Sequence, residues 1–255
     1  MSMPVLVTFL ILMGIISGVI SAVASMASLV SYPALLIAGC SPIAANITNT
    51  AALIFTGPGV LLASAKKMKQ HWQEFGIYCL FLLSGAVTGG LLLISFPEKV
   101  FEKIVPFLVL LSAVVLIMTS GKNSNKNGAR KRTKGKIFLA YTGLFLGGIY
   151  SGYFGAAAGV IHLICINYLS DDDFYTINAM KDIGGALANW VALIVFIFGA
   201  QINWLMAILL AIGLFIGGYL GQYSIKFLSL KIVSRITFVF SIVLAGWLFY
   251  TAYFA

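Results

Sequence analysis

The segment Asn178-Ala179-Met180-Lys181-Asp182 holds the ionisable side chains best placed to bind a ligand. Lys181 lies about seven residues into a predicted helix, or roughly 10 Å from its start at 1.5 Å per residue. An ionisable residue at that depth of an apolar helix is a functional candidate by default. Lys181 could bind an anion together with the amide of Asn178. It could equally extend to the surface or neutralise Asp182 or Asp173, so both interpretations stay open.

A matching polar segment, Asn46-Ile47-Thr48-Asn49-Thr50, opens an earlier apolar run. The side chains of Asn46, Thr48 and Asn49 could donate hydrogen bonds to an oxyanion. Asn189, on the same predicted helix as Lys181, is either a further ligand or a hydrogen-bonding group between helices. Together with Asn178 and Lys181, these residues are candidates for one substrate site.

Two clusters of small residues, at 21–28 and 147–159, precede the polar segments and predict a break in each helix. A broken helix leaves backbone N–H groups without partners, and the N-terminus of the returning half-helix carries a partial positive charge. Such an end suits an anion, and small side chains let the anion approach the backbone. Close packing between helices is the alternative explanation. The candidate ligands are Ser25, Ala27 and Ser28 in the first cluster and Gly155, Ala157, Ala158 and Gly159 in the second.

Proton coupling has two weak candidates, His162 and Asp182. The imidazole of His162 can titrate near working pH, although a packed, hydrogen-bonded histidine is the simpler explanation. The run Asp171-Asp172-Asp173 is typical of a solvated turn that caps a helix. The three cysteines are isolated and form no Cys-x-x-Cys pair. We therefore expect neither a metal site nor a cofactor.

The composition indicates that these residues lie in a membrane. Of the 255 residues, 61% are hydrophobic and 9% charged, with a mean hydropathy of +1.04. A soluble domain carries about 25% charged residues. Apolar runs of about 20 residues, long enough to cross a bilayer, follow one another from end to end. The sequence therefore predicts an all-α polytopic membrane protein.

Positive charge is concentrated in the loop at residues 121–136, which contains seven Lys and Arg residues and no acid. A polybasic loop beside a spanning helix is typical of the cytoplasmic face, where it can contact anionic lipid. The net charge of +9 is thus explained without nucleic acid. The loop also serves as a linker between a first half, residues 1–120, and a second half, residues 137–255.

An internal repeat relates the two halves. Residues 18–28 recur as residues 148–158, and Gly85-x-x-x-Gly89-Gly90 recurs as Gly213-x-x-x-Gly217-Gly218. We expect each half to contain one broken-helix hairpin followed by three transmembrane helices. An odd number of further crossings makes the two halves inverted repeats.

The positive charges favour this inverted topology. With residues 121–136 in the cytoplasm, the hairpin arrangement leaves both termini outside. It also places every Lys and Arg inside, except Lys99 and Lys103 outside and Lys181 within a helix. Positive charge collects on the cytoplasmic side of membrane proteins, so an arrangement with single crossings in place of hairpins fits less well.

The second half carries a more specific pattern, Met180-Lys181-Asp182 followed by Ala188-Asn189-Trp190-Val191-Ala192, Ile202-Asn203-Trp204 and Gly217-Gly218-Tyr219-Leu220-Gly221. Together with the duplicated small-residue motif and Pro33, this pattern resembles the sulfite exporter TauE/SafE family over nearly the whole chain. The resemblance implies export of sulfite, an organosulfonate or a related sulfur anion across the inner membrane.

No nucleotide-binding motif occurs in the sequence, so we expect a secondary transporter that works by alternating access. A passive anion channel is an alternative. An intramembrane enzyme fits less well, because paired acids, Ser/His pairs and metal ligands are scarce at membrane depth. The expected partners are a small anionic substrate and the lipid bilayer. The sequence does not indicate whether the protein is a monomer or an oligomer.

Overall fold

The chain folds into α-helices in the computed structural model, which describes residues 1–24, 26–56, 71–119, 133–224 and 230–254. Ten α-helices and one short 3₁₀ helix, Ile54–Thr56, occupy these ranges, and no strand occurs within them. The α-helices are α1 Met3–Ala24, α2 Ser28–Ile37, α3 Pro42–Leu53, α4 Trp72–Ser95, α5 Glu98–Thr119, α6 Lys134–Tyr153, α7 Ala158–Leu169, α8 Phe174–Gly199, α9 Trp204–Ser224 and α10 Leu230–Tyr253.

Several of these helices are suited to lipid. Four described segments are long and apolar enough to cross a membrane: Met3–Ser21, Trp72–Ser95, Thr176–Gly199 and Arg235–Tyr253. Large apolar side chains also face outward, since Phe138 on α6 is 74% exposed and Phe198 on α8 is 86% exposed. Such surface is unfavourable in water and favourable against hydrocarbon. The predicted all-α polytopic membrane protein is confirmed.

The first helix break lies at the first small-residue cluster. Helix α1 ends at Ala24 and α2 begins at Ser28, with Ala27 as its N-terminal capping residue. Ser25, one of the predicted ligands, lies outside the described residues. Helix α2 is only 10 residues long, which is too short to cross a bilayer by itself.

The second helix break lies between Tyr153, where α6 ends, and Ala158, where α7 begins. Gly155 (φ +78°) and Ala157 (φ +60°) adopt left-handed backbone conformations there, which stop a right-handed helix. The break is shorter than predicted, because Gly147 and Gly148 remain helical within α6.

Gly148 stays helical because it packs closely on another helix. A Cβ atom at this position would lie 2.2 Å from a carbonyl oxygen of α4, well inside van der Waals contact. Close helix packing, the alternative explanation for the small residues, is therefore correct for Gly148. The helix break itself is confined to residues 154–157.

The two halves pack on each other reciprocally. Helix α1 lies along α9, and α4 lies along α6. Glycines from both members form each contact: a Cβ at Gly217 would lie 2.0 Å from a carbonyl oxygen of α1, and one at Gly18 would lie 2.5 Å from a carbonyl oxygen of α9. In the other pair, a Cβ at Gly89 would lie 2.0 Å from a carbonyl oxygen of α6, and one at Gly152 would lie 2.1 Å from a carbonyl oxygen of α4. The first helix of each half thus packs on the fourth helix of the other.

An aromatic contact holds the two breaks near each other. The ring of Tyr32 on α2 meets the ring of Phe154 edge to face, with centroids 5.4 Å apart. Phe154 lies in the second break, and both side chains are almost fully buried. Aromatic pairs of this geometry stabilise by about 0.5–1.5 kcal/mol beyond their area burial.

Candidate functional site

A cavity of about 110 Å³ lies between the two helix breaks. A cavity that holds one water molecule has a volume of about 10–15 Å³ on the same scale. This cavity therefore has room for several waters or one small anion. Its wall combines residues of α1, α2, α3, α6, α7 and α8. They are Ser21, Ala27, Ser28, Thr50, Leu53, Ser151, Phe154, Gly155, Ala158, Gly159, His162, Lys181, Asp182, Gly185, Ala186 and Asn189.

Lys181 is the cation of this wall and is only 5% exposed. Its Nζ atom lies 2.9 Å from Oδ1 of Asp182 and donates to Oδ1 of Asn178 over 2.9 Å. The Asn178 amide in turn donates to Oδ2 of Asp182 over 3.0 Å. A buried ammonium group needs such partners because it has lost its water. Lys181 therefore faces the cavity while Asp182 balances its charge.

Asp173, the other acid considered for Lys181, has a different role. Its carboxylate accepts a hydrogen bond from the backbone N–H of Thr176 and forms the N-terminal cap of α8. This is the helix-cap role expected of the aspartate run.

Both returning half-helices present their N-terminal ends to the cavity. Ala27 and Ser28 at the start of α2 line it, and so do Gly155, Ala158 and Gly159 at the start of α7. Each helix N-terminus carries a partial positive charge of about half an elementary charge. Two ends at one cavity make it favourable for an anion.

Ala157 was predicted as a ligand, but it is not among the residues that line the cavity. It is buried and holds the left-handed turn that starts α7. Its contribution is to set the direction in which α7 returns.

Three further predicted ligands do not line the cavity either: Asn46, Thr48 and Asn49. Asn49 donates to the hydroxyl of Ser28 over 3.1 Å and accepts from Ser31 over 2.5 Å, which ties α3 to the start of α2. Asn46 donates to the carbonyl oxygen of Tyr153 over 2.8 Å, at the end of α6. Thr48 accepts from the backbone N–H of Asn203 over 3.3 Å. The two asparagines hold the breaks in position, whereas Thr48 ties α3 to the α8–α9 loop. Asn178 supports Lys181 in a similar way.

His162 lies on the cavity wall and is 1% exposed. Its Nε2 atom lies 3.3 Å from the hydroxyl oxygen of Ser151. The neighbouring small residue Gly147 leaves room for the ring, since a Cβ there would lie 3.2 Å from the imidazole. A packed histidine accounts for these contacts, and a part in proton coupling stays a prediction.

The cavity wall contains residues that were not proposed as ligands from the sequence, including Ser21, Ser151, Thr50 and Leu53. The internal repeat could have found them. The repeat matches Ser21 with Ser151, and it matches the polar segment around Thr50 with the one around Asp182. Equivalent positions of both halves therefore face the same cavity.

A second, larger cavity of about 240 Å³ lies between α2, α5 and α10. Among the described residues on its wall, Glu102 carries a negative charge and no Lys or Arg is present. This lining suits an anion less well than the cavity at Lys181. We therefore take the smaller cavity as the candidate site.

One group of possible metal ligands occurs in the described part of the chain. Ligand atoms of His71, Glu74 and Asp172 lie within 4.8 Å of one another. Ligands around one zinc ion at about 2.1 Å would lie at most about 4.2 Å apart. His71 already pairs with Asp172 over 3.0 Å, and Glu74 accepts a hydrogen bond from Tyr78. The group is an interaction between α4 and the α7–α8 loop rather than a formed metal site.

Multiple apolar helices and a cavity with polar lining groups between two helix breaks are features of multi-pass membrane transporters. The curated relatives agree with this class. A probable membrane transporter protein, ORF9, from Sinorhizobium sp. is 27% identical over 94% of this chain and 91% of its own length. The probable membrane transporter protein YfcA from Escherichia coli K12 is 24% identical over 98% of this chain and 92% of its own length. A probable membrane transporter protein from Haemophilus influenzae is 25% identical over 85% of this chain and 84% of its own length.

A protein-family model described as sulfite exporter TauE/SafE matches residues 10–248 of the chain. The chain belongs to the sulfite exporter TauE/SafE family. No solved structure matches the chain.

Proposed function

We propose that the chain exports a small sulfur oxyanion, such as sulfite or an organosulfonate, across the cytoplasmic membrane as a secondary transporter. The observation that carries this proposal is a buried lysine and two helix N-termini on the wall of one cavity. The two helix ends supply positive potential where an oxyanion would sit, and the lysine ammonium can donate a hydrogen bond to it. The description of the family supports a sulfur anion as the cargo.

The polar groups of the wall suit the oxygens of such an anion. The Lys181 ammonium provides a charge-assisted hydrogen bond, which is stronger than one between neutral groups. The hydroxyls of Ser28 and Ser151, the amide of Asn189 and the backbone N–H of Gly159 can add further donors. Alanine at the first break, and glycine and alanine at the second, let the anion reach the backbone.

We further propose that the two halves, residues 1–120 and 137–255, are inverted repeats that move against each other during alternating access. Reciprocal packing of α1 on α9 and of α4 on α6 supports this arrangement, because a two-fold relation between the halves generates both contacts together. The substrate cavity then lies near the axis, where transporters built from inverted repeats bind their cargo.

In this topology the linker at 121–136 is cytoplasmic and both termini are outside, in agreement with the distribution of Lys and Arg. Most of the linker and Ser229 lie outside the described residues. A cysteine introduced at Ser229 tests the topology in intact cells. We expect it to be shielded from a membrane-impermeant thiol reagent added outside, and labelling from outside would contradict the inversion.

The test of the function is a transport screen with the purified protein in proteoliposomes. Vesicles loaded with sulfite, thiosulfate, sulfate or a small sulfonate should show saturable, protein-dependent efflux of at least one sulfur anion. Saturation and competition between anions distinguish a transporter from a passive channel. Absence of both binding and efflux for every anion of the set would refute the proposal.

A further inference from the structure

We propose that the cavity at Lys181 accepts singly charged anions and rejects dianions, and that Asp182 sets this selection. The inference rests on the proposed function, because it takes this cavity as the anion site. It adds the charge of the substrate and names a residue that determines specificity.

The charges on the wall carry the argument. Lys181 and Asp182 are adjacent on α8 and in contact, with Nζ 2.9 Å from Oδ1. The remaining ionisable side chain on the described wall is His162, on α7. The wall residues from α1, α2, α3 and α6 are uncharged: Ser21, Ala27, Ser28, Thr50, Leu53 and Ser151. The carboxylate of Asp182 therefore offsets the lysine, and the pair contributes little net charge.

What remains for the substrate is the positive potential of the two helix ends. Each is equivalent to about half an elementary charge, so the ends of α2 and α7 together match about one negative charge. A monoanion completes this balance. A dianion would leave one negative charge uncompensated beside the carboxylate of Asp182.

Two energetic terms make the second charge unfavourable. The repulsion between the substrate and Asp182 doubles when the substrate charge doubles, because Coulomb energy is proportional to each charge. The cost of removing an ion from water rises more steeply, with the square of its charge. Both terms act against a dianion of the same size and shape.

For sulfite, this selection means that hydrogen sulfite is the form bound. Sulfite loses its second proton near neutral pH, so both forms exist in the cytoplasm. The proton would cross the membrane on the substrate itself, without a titrating group on the protein. Methanesulfonate stays singly charged throughout this range and sulfate stays doubly charged.

Methanesulfonate and sulfate form a matched pair for the test, since both are tetrahedral and one methyl group replaces one oxygen. The measurement is competition of each anion with labelled sulfite on the purified protein at neutral pH. We expect methanesulfonate to compete at least about tenfold better than sulfate, given the Coulomb energy of one additional charge close to Asp182. Equal competition by the two anions would overturn the inference.

The substitution Asp182→Asn tests the residue. It keeps the size of the side chain and an oxygen that can accept from Lys181, but it removes the negative charge. We expect sulfate affinity to rise at least about tenfold while methanesulfonate affinity changes much less, because the lysine charge, no longer offset by a carboxylate, now balances the second negative charge. The matched control is Asp171→Asn, an exposed carboxylate outside the cavity, which should leave both affinities unchanged.

The outcomes separate this inference from the proposed function. If no sulfur anion binds the wild-type protein, the proposed function fails. If anions bind but sulfate and methanesulfonate compete equally, only the charge selection fails. An unchanged preference in a folded Asp182→Asn protein refutes the role of Asp182. If that variant does not fold, the wild-type comparison still decides on charge selection.

The pH dependence of binding gives a further test. Sulfite binding should weaken as the pH rises through neutrality, while methanesulfonate binding stays constant. A parallel loss of both would overturn the inference.

Discussion

At the scale of single residues, Lys181 is the group on which anion binding most depends. Replacing it by methionine keeps the length of the aliphatic chain but removes the charge, and it leaves Asp182 without its cation. We expect Lys181→Met to weaken binding of the best sulfur anion at least about tenfold, because a charge-assisted hydrogen bond is lost and the acid now repels the substrate. The measurement is the dissociation constant of that anion on purified protein.

Two further variants decide whether a loss of binding reflects charge. Lys134→Met removes an exposed lysine at the start of α6 and should leave the affinity unchanged. The double variant Lys181→Met, Asp182→Asn removes both charges of the pair, so that folding is not burdened by one unpaired buried charge. If this folded double variant binds the anion as tightly as the wild type, Lys181 is not a ligand.

A residue of the cavity wall was easiest to predict from the sequence where its type was unusual for its surroundings. Lys181 stood out because charge is rare in an apolar helix, and the pairing with Asp182 was one of its open interpretations. Asn46 and Asn49 were equally recognisable from the sequence as polar residues, but the direction in which their side chains point was not. Whether an amide faces a cavity or the neighbouring helix depends on rotation about the helix axis, which tertiary packing sets.

At the scale of elements, the glycines of α9 show how closely the helices approach. A Cβ at Gly217 would lie 2.0 Å from a carbonyl oxygen of α1, whereas one at the adjacent Gly218 would meet nothing within 4 Å. We expect Gly217→Ala to force α1 and α9 apart and to destabilise the folded protein. Gly218→Ala should be neutral or slightly stabilising, because alanine favours a helix over glycine by up to about 1 kcal/mol.

The measurement for this glycine pair is thermal unfolding of both variants in the same detergent. The comparison is internal, since both substitutions add one methyl group to neighbouring positions of one helix. Equal unfolding temperatures for the two variants would show that the contact between α1 and α9 tolerates an added methyl group.

The helix breaks illustrate what the sequence can and cannot predict about elements. The small-residue clusters indicated both breaks, and the chain interrupts its helices within each cluster. The sequence alone could not separate glycines that break a helix from glycines that pack one. Gly148 belongs to the second kind because a backbone carbonyl of α4 lies against it, and such a long-range contact has no local signal.

At the scale of the whole molecule, the packing makes each half incomplete without the other. The first helix of each half lies on the fourth helix of its partner half, and both halves contribute walls to one cavity. The repeat in the sequence predicted related halves, but it could not predict which helices meet between them. Rocking of one half against the other would change the contacts of both helix pairs together and expose the cavity to alternate sides.

The charge balance of the cavity gives a prediction about the driving force. If the Lys181–Asp182 pair stays neutral through the cycle, each transported monoanion moves one negative charge across the membrane. An inside-negative potential then favours export by about 2.3 kcal/mol per 100 mV, equivalent to a concentration ratio of about 50-fold. In proteoliposomes with a potassium diffusion potential set by valinomycin, methanesulfonate should leave vesicles that are negative inside and accumulate in vesicles that are positive inside. Because the effect is an equilibrium one, it does not depend on the orientation of the protein in the vesicle. Protein-free vesicles give the background leak, and a final distribution that ignores the potential would show that a compensating ion moves with the anion, which would contradict uncoupled export.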